Sequence, residues 1–168
     1  MKEEMVLLGV VLSHLHAYSI NTFSDRLLLQ KKIYLTQELN IDMGYNFSWY
    51  LKGPYCSALT STIYEMIPEF SENEFLEYEL TPEASVVLDK VNQLEFCAER
   101  SRTELEVAEW YELLASIEYL KNKSSWLSDK GKEGVCLKLR QEKPQFSSQQ
   151  FNLAWDVLVR EGLIKEAN

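Results

Sequence analysis

The sequence is poor in the residues that mark most recognisable chemistry. It has two histidines, His14 and His16. Residues two apart on a helix project about 200° from each other, so this pair cannot share a ligand face. It has three cysteines, Cys56, Cys97 and Cys136. An odd count, with neighbours about forty residues apart, fits neither a zinc knuckle nor a redox dithiol. Reduced and mostly buried thiols are the expectation. There are six glycines and four prolines, and none builds a Gly-rich phosphate loop, a Gly-x-Ser-x-Gly elbow or a kinase signature. No metal and no cofactor are therefore expected. Basic residues are also scarce: 17 Lys and Arg stand against 26 Asp and Glu, a net charge of −9. Such a balance opposes general binding to a phosphate backbone. The strongest apolar run, Met5 to Leu15, is too short to span a bilayer and is broken by Ser13 and His14. Glu3 and Glu4 precede it where a secretory signal carries positive charge. It reads as a buried first helix of a cytoplasmic protein with no membrane association.

What is present is ordinary globular material. Hydrophobic residues make up 46% and charged residues 26%, with four Trp, nine Tyr and seven Phe, which excludes a disordered chain. Its 168 residues suit one domain, 1–168, with lobes at 1–98 and 99–168.

The pattern predicts a mainly α fold with a small β element, an α+β class. A first helix is expected from Glu3 to Tyr18, apolar almost all round and hence central. Ser24 is read as the N-cap of a second helix, with Asp25 in its first turn and Leu28, Leu29, Ile33, Leu35 and Leu39 as its apolar stripe. Asn40 and Gly44 turn the chain. Tyr45, Phe47, Trp49 and Leu51 then alternate as one face of a strand that Gly53-Pro54 stops. A third helix follows from Ser57 to Met66. Phe75 to Leu80 alternates weakly as a short strand, and Thr81-Pro82-Glu83 opens a helix. That succession resembles the wing and closing helix of winged-helix domains. Further helices are expected after a capping box at Thr103 and Glu106, around Val135 to Leu139, and after a second box at Ser147 and Gln150, with a loop or a loose helical turn from Asn122 to Gly134. Gly162 is read as the final stop, with Leu163 and Ile164 packed behind it.

Charge is segregated. From Glu65 to Glu112 there are fourteen acidic and three basic residues, whereas from Lys121 to Lys143 there are seven basic and three acidic. The acidic stretch, with Glu72, Glu74 and Glu77 at its densest part, reads either as a solvated surface or as a face for a basic partner.

The most distinctive stretch reads Leu29-Gln30-Lys31-Lys32-Ile33-Tyr34-Leu35, then Phe47-Ser48-Trp49-Tyr50-Leu51-Lys52-Gly53-Pro54-Tyr55, then Leu59. It resembles the Panacea domain, the SocA-like antitoxin domain of bacterial and phage proteins, and its Gly-Pro-Tyr turn is closer to the YwgA-like group. Lys32 stands where that domain usually carries Leu. The resemblance implies a helical domain that neutralises a toxin by direct binding or adapts a protein to a protease, without cofactor or catalysis. Read from the residues alone, Gly53 supplies a backbone conformation forbidden to side chains and Pro54 fixes the turn. Gln30 and Tyr34 lie four apart on one helix face; they either hydrogen-bond the turn or face a partner. The candidate partner-binding residues are Gln30, Tyr34, Trp49, Tyr50, Gly53, Pro54, Tyr55, Glu72, Glu74 and Glu77. The first functional expectation is a non-catalytic protein-interaction module, antitoxin-like or accessory to defence. The alternative is a winged-helix-like nucleic-acid-binding regulator, and a third is an enzyme whose site is dispersed in sequence.

Overall fold

The computed structural model describes residues 2–124 and 131–166. Helix makes up 66% of it, beside one two-stranded antiparallel sheet. The chain divides into two compact units, Met1–Ser48 with Tyr55–Gln93, and Trp49–Pro54 with Leu94–Asn168.

In the first unit, α1 (Glu3–His14) buries Leu8 to Ser13. It ends four residues earlier than Tyr18, because Leu15 caps it and His16 adopts a left-handed φ of 55°. Helix α2 (Phe23–Glu38) starts on a capping box formed by Thr22 and Asp25, not on Ser24. Both residues can cap, and Thr22 wins because Asp25 then sits at the third helical position and bonds back to the Thr22 amide. From Leu29 to Thr36 α2 is buried all round, polar residues included. Lys32 is one of them, and its ammonium donates to the Leu15 carbonyl at 2.8 Å. Leu28 and Leu39 are only partly buried.

The expected strand is shorter than its alternation. β1 (Ser48–Tyr50) pairs with β2 (Gly53–Tyr55) through a turn at Leu51-Lys52. Leu51 therefore leaves the inward face that Trp49 keeps and is 93% exposed. Gly53-Pro54 opens a second strand rather than merely ending the first. After it, α3 (Ser57–Met66) matches the expected span and buries Leu59, Ile63 and Met66.

No strand forms at Phe75 to Leu80. That segment begins inside α4 (Glu72–Leu76), which a Ser71/Glu74 capping box starts. Phe75 pins α4 on α1: its ring lies 5.6 Å from that of Tyr18 and 6.4 Å from that of Phe70. The tight packing explains Gly9, where a Cβ would stand 2.4 Å from the Phe75 ring. The wing-like strand is thus absent among the described residues. Helix α5 (Pro82–Gln93) does start as expected, with Thr81 Oγ1 accepting from the Ala84 amide, and it packs on α2.

In the second unit a 3₁₀ turn (Leu94–Phe96) and α6 (Ala98–Thr103) precede α7 (Val107–Asn122). Thr103 ends α6 instead of capping the next helix. The capping box of α7 is Glu106 with Glu109. Trp110 to Glu118 are buried without a break, and Trp110 Nε1 donates to the Leu94 carbonyl at 2.8 Å. α8 (Gly131–Glu142) and α9 (Ser148–Arg160) pack on α7. The segment from Asn122 to Gly134, expected as a loop or a loose helical turn, is helical at Asn122 and from Gly131 onward, and residues 125–130 lie outside the described residues. α9 has the expected Ser147/Gln150 box. Gly162 (φ 77°) stops the chain so that Leu163 and Ile164 are buried behind it.

Candidate functional site

The family-like segment is built around the hairpin, and side chains of α2 hold its stems. Gln30 uses its amide as a surrogate strand edge. Its Nε2 donates to the Cys56 carbonyl at 2.9 Å and to Thr60 Oγ1 at 2.8 Å, while its Oε1 accepts from the Cys56 amide at 3.0 Å. Tyr55 joins the same group through its hydroxyl, 2.7 Å from Thr60 Oγ1. Gln37 does the equivalent on the entering side: it donates to the Tyr45 carbonyl at 2.9 Å and accepts from the amides of Met43 and Tyr45. Tyr34 sets its ring edge-on to Phe47 at 5.1 Å. Gln30 and Tyr34, 3% and 2% exposed, thus serve the fold and present no surface to a partner.

A charged cluster holds the apex, all of it within the second unit. The Lys143 ammonium donates to the Leu51 carbonyl and, at 3.0 Å, to Glu112 Oε2. It also lies 5.4 Å from the centre of the Trp49 ring, which sits 5.7 Å from the Tyr119 ring at a tilt of 35°. The Lys143 and Glu112 side chains are 1% and 3% exposed. Burial pushes the Lys143 pKa down, and Glu112 opposes that shift by favouring the charged form. A buried ion pair is a poor source of stability by itself, since desolvation cancels most of the attraction. Here it satisfies a turn carbonyl and orients a tryptophan.

The turn geometry follows from its residues. Leu51 and Lys52 keep negative φ, and Gly53 takes a φ of 92°. That is the pattern of an ordinary turn closed by a left-handed residue, in which glycine avoids the Cβ penalty. Gly53 and Pro54 are buried. Gly53→Val should therefore cost about 1–2 kcal/mol, or roughly 3–8 °C in melting temperature for a chain of this size. Equal melting temperatures for variant and wild type, by circular dichroism, would show that the turn needs no glycine.

Of the ten candidate residues, the structure thus buries Gln30, Tyr34, Gly53 and Pro54 and half-buries Trp49 and Tyr55. Tyr50 remains 52% exposed beside Leu51. The acidic candidates form a separate group on the first unit. Glu74 and Glu77 line a surface depression of about 520 Å³ together with Asn73, Phe75 and Tyr78. Glu74 also has a local task, accepting from the Ser71 amide at 2.7 Å. Burial, with Glu74 and Glu72 nearby, pushes the Tyr18 pKa up to about 12.

Sequence reasoning missed Gln37, Glu112, Lys143 and Leu51. Glu112 carried a signal, because it stands four residues from Ala108 and three from Ala115, on the buried side of α7. Lys143 carried none, being one of several lysines in a basic stretch.

No family model matches the chain, and neither curated proteins nor solved structures give a match. Among the described residues no three His, Cys, Asp or Glu side chains come together to hold a metal. None of their helices is long and apolar enough to cross a membrane.

Proposed function

We propose that this protein is a non-catalytic protein-interaction module, antitoxin-like or accessory to defence, that engages its partner through the hairpin apex. One observation carries the reading: an apolar side chain, Leu51, stands 93% exposed on a turn whose carbonyl is fixed by a buried ammonium. Exposed leucine alone is unremarkable. A leucine presented on an ordered apex is different, because its burial by a partner requires little further ordering of the chain. The resemblance of the Gln30 and Gly53-Pro54-Tyr55 segments to the Panacea domain supplies the antitoxin-like part of the reading. The acidic stretch and the absence of a wing strand among the described residues weigh against the nucleic-acid alternative.

Leu51→Ser tests it. The variant should melt within about 1 °C of wild type, since an exposed substitution removes no packing. In pull-downs from the source organism it should lose the proteins that wild type retains. Identical retention by both would remove the apex from the binding surface.

A further inference from the structure

The apex also indicates what kind of surface it fits. Three residues project there: Tyr50, Leu51 and Lys52. Of the two lysines at the apex, Lys143 is already neutralised by Glu112. Lys52 is exposed and makes no ion pair among the described residues. It directly follows Leu51, whose carbonyl the Lys143 ammonium holds. The presented surface is thus a fully exposed leucine, with a half-exposed tyrosine before it and one positive charge outside any ion pair after it.

Charge counts select among classes of partner. The second unit, which includes the apex, carries twelve Lys and Arg against thirteen Asp and Glu; the first carries five against thirteen. An apex with one cation outside an ion pair cannot neutralise a run of phosphates. It also lacks the polybasic character that, with apolar insertion, holds proteins to anionic bilayers. A protein surface asks for less: one apolar socket and one carboxylate.

We infer that the partner, on the reading proposed above, is a protein whose docking surface is an apolar socket for Leu51 with an Asp or Glu on its rim facing Lys52. Leu51 supplies most of the affinity, as an anchor inserted into a dry pocket does. Lys52 supplies register and association rate, as rim charges do.

The test places a photo-cross-linking phenylalanine analogue at position 51 and, as a control, at Leu137, which is 63% exposed on α8. The protein cross-linked at 51 is identified, the linked peptide is mapped, and the purified partner is titrated against variants. Leu51→Ser should weaken binding at least tenfold. Lys52→Glu should weaken it about three- to tenfold, mostly through a slower association rate that depends on salt. Lys52→Arg should bind as wild type does. Replacing the mapped rim carboxylate of the partner by Lys should restore binding to Lys52→Glu. A partner cross-linked at 51 with no carboxylate near the linkage, or one indifferent to Lys52→Glu, overturns the inference while leaving the binding role in place. Cross-linking only at 137 overturns it too and moves the interface elsewhere. Vesicles with 30% phosphatidylserine that sediment wild type but not Leu51→Ser would replace the protein partner with a membrane. If no protein links at either position and vesicles do not bind, the interaction role itself falls.

Discussion

Glu112→Ala is expected to destabilise the protein by about 3–5 kcal/mol at neutral pH, the usual cost of leaving one member of a buried ion pair without its counter-charge. Lys143 is 1% exposed and has no solvent to turn to. Burial already holds its pKa down, and loss of Glu112 removes the carboxylate that opposes this. The sign of the pH dependence follows. The unfolded lysine ionises near its ordinary value of about 10.4, whereas the folded one in the variant ionises lower. Folding of the variant must then expel a proton or bury a lone charge, a penalty fully present below the folded pKa. The penalty shrinks as pH rises towards the unfolded value, so the gap between variant and wild type should narrow on the alkaline side. Urea unfolding at pH 7 and pH 9.5 measures both quantities. Replacing the pair together, Glu112→Leu with Lys143→Met, should recover much of the loss, because two apolar side chains owe nothing to solvation. A single variant within 1 kcal/mol of wild type at pH 7 would mean that the cluster is wet or loosely held.

Gly9→Ala is expected to lower stability by about 1–3 kcal/mol, the range for overpacking a closed core. Alanine in place of glycine in a helix ordinarily gains about 1 kcal/mol, so the expected sign is opposite to propensity. The reason is the 2.4 Å approach to Phe75, a ring that is 1% exposed and set against Tyr18 and Phe70. A stiff ring packed in this way has no free end to swing aside. The double variant Gly9→Ala with Phe75→Leu should be more stable than the sum of the two single losses, because each change relieves the strain or fills the space left by the other. Denaturation midpoints of the four proteins give the coupling. A Gly9→Ala protein as stable as wild type would mean that α4 can lift from α1 at no cost.

Much of the fold was legible because local signals and tertiary packing agree. Ser147 with Gln150, Thr81-Pro82, the left-handed Gly162 and the span of α3 all follow from local chemistry that nothing overrides. The errors arise where two local signals compete. Phe75 to Leu80 alternates weakly, but Ser71 and Glu74 form a capping box just before it, and the helix lets Phe75 reach α1. Thr103 and Glu106 match the capping-box pattern, yet Glu106 with Glu109 starts the helix whose face is buried. A period-two count places Leu51 inward, and the turn at Leu51-Lys52 interrupts that count. The candidate site was legible as a segment and illegible as a device. The hairpin and its glycine are local, whereas the ammonium that holds the apex lies 92 residues along the chain from Leu51. A bond at that separation leaves no periodic trace in a single sequence.

Gln30 and Gln37 stand about two helical turns apart on α2, and their amides secure the chain on either side of the hairpin at Cys56 and at Tyr45. Both bond to main-chain atoms, which every residue type possesses. That part of the hold does not depend on which side chains the hairpin carries, and the Tyr55 hydroxyl and the Phe47 ring add side-chain contacts at the stems. Leu51 too is fixed through its carbonyl, so the lysine that grips it is blind to the leucine. Such an arrangement leaves the apical side chains open to exchange: on the proposed binding role, a lineage could swap Leu51 or Lys52, change what it recognises, and keep the same scaffold. Inheritance would then show a constant frame around a drifting apex, as in binding proteins that diversify under pressure from a changing target.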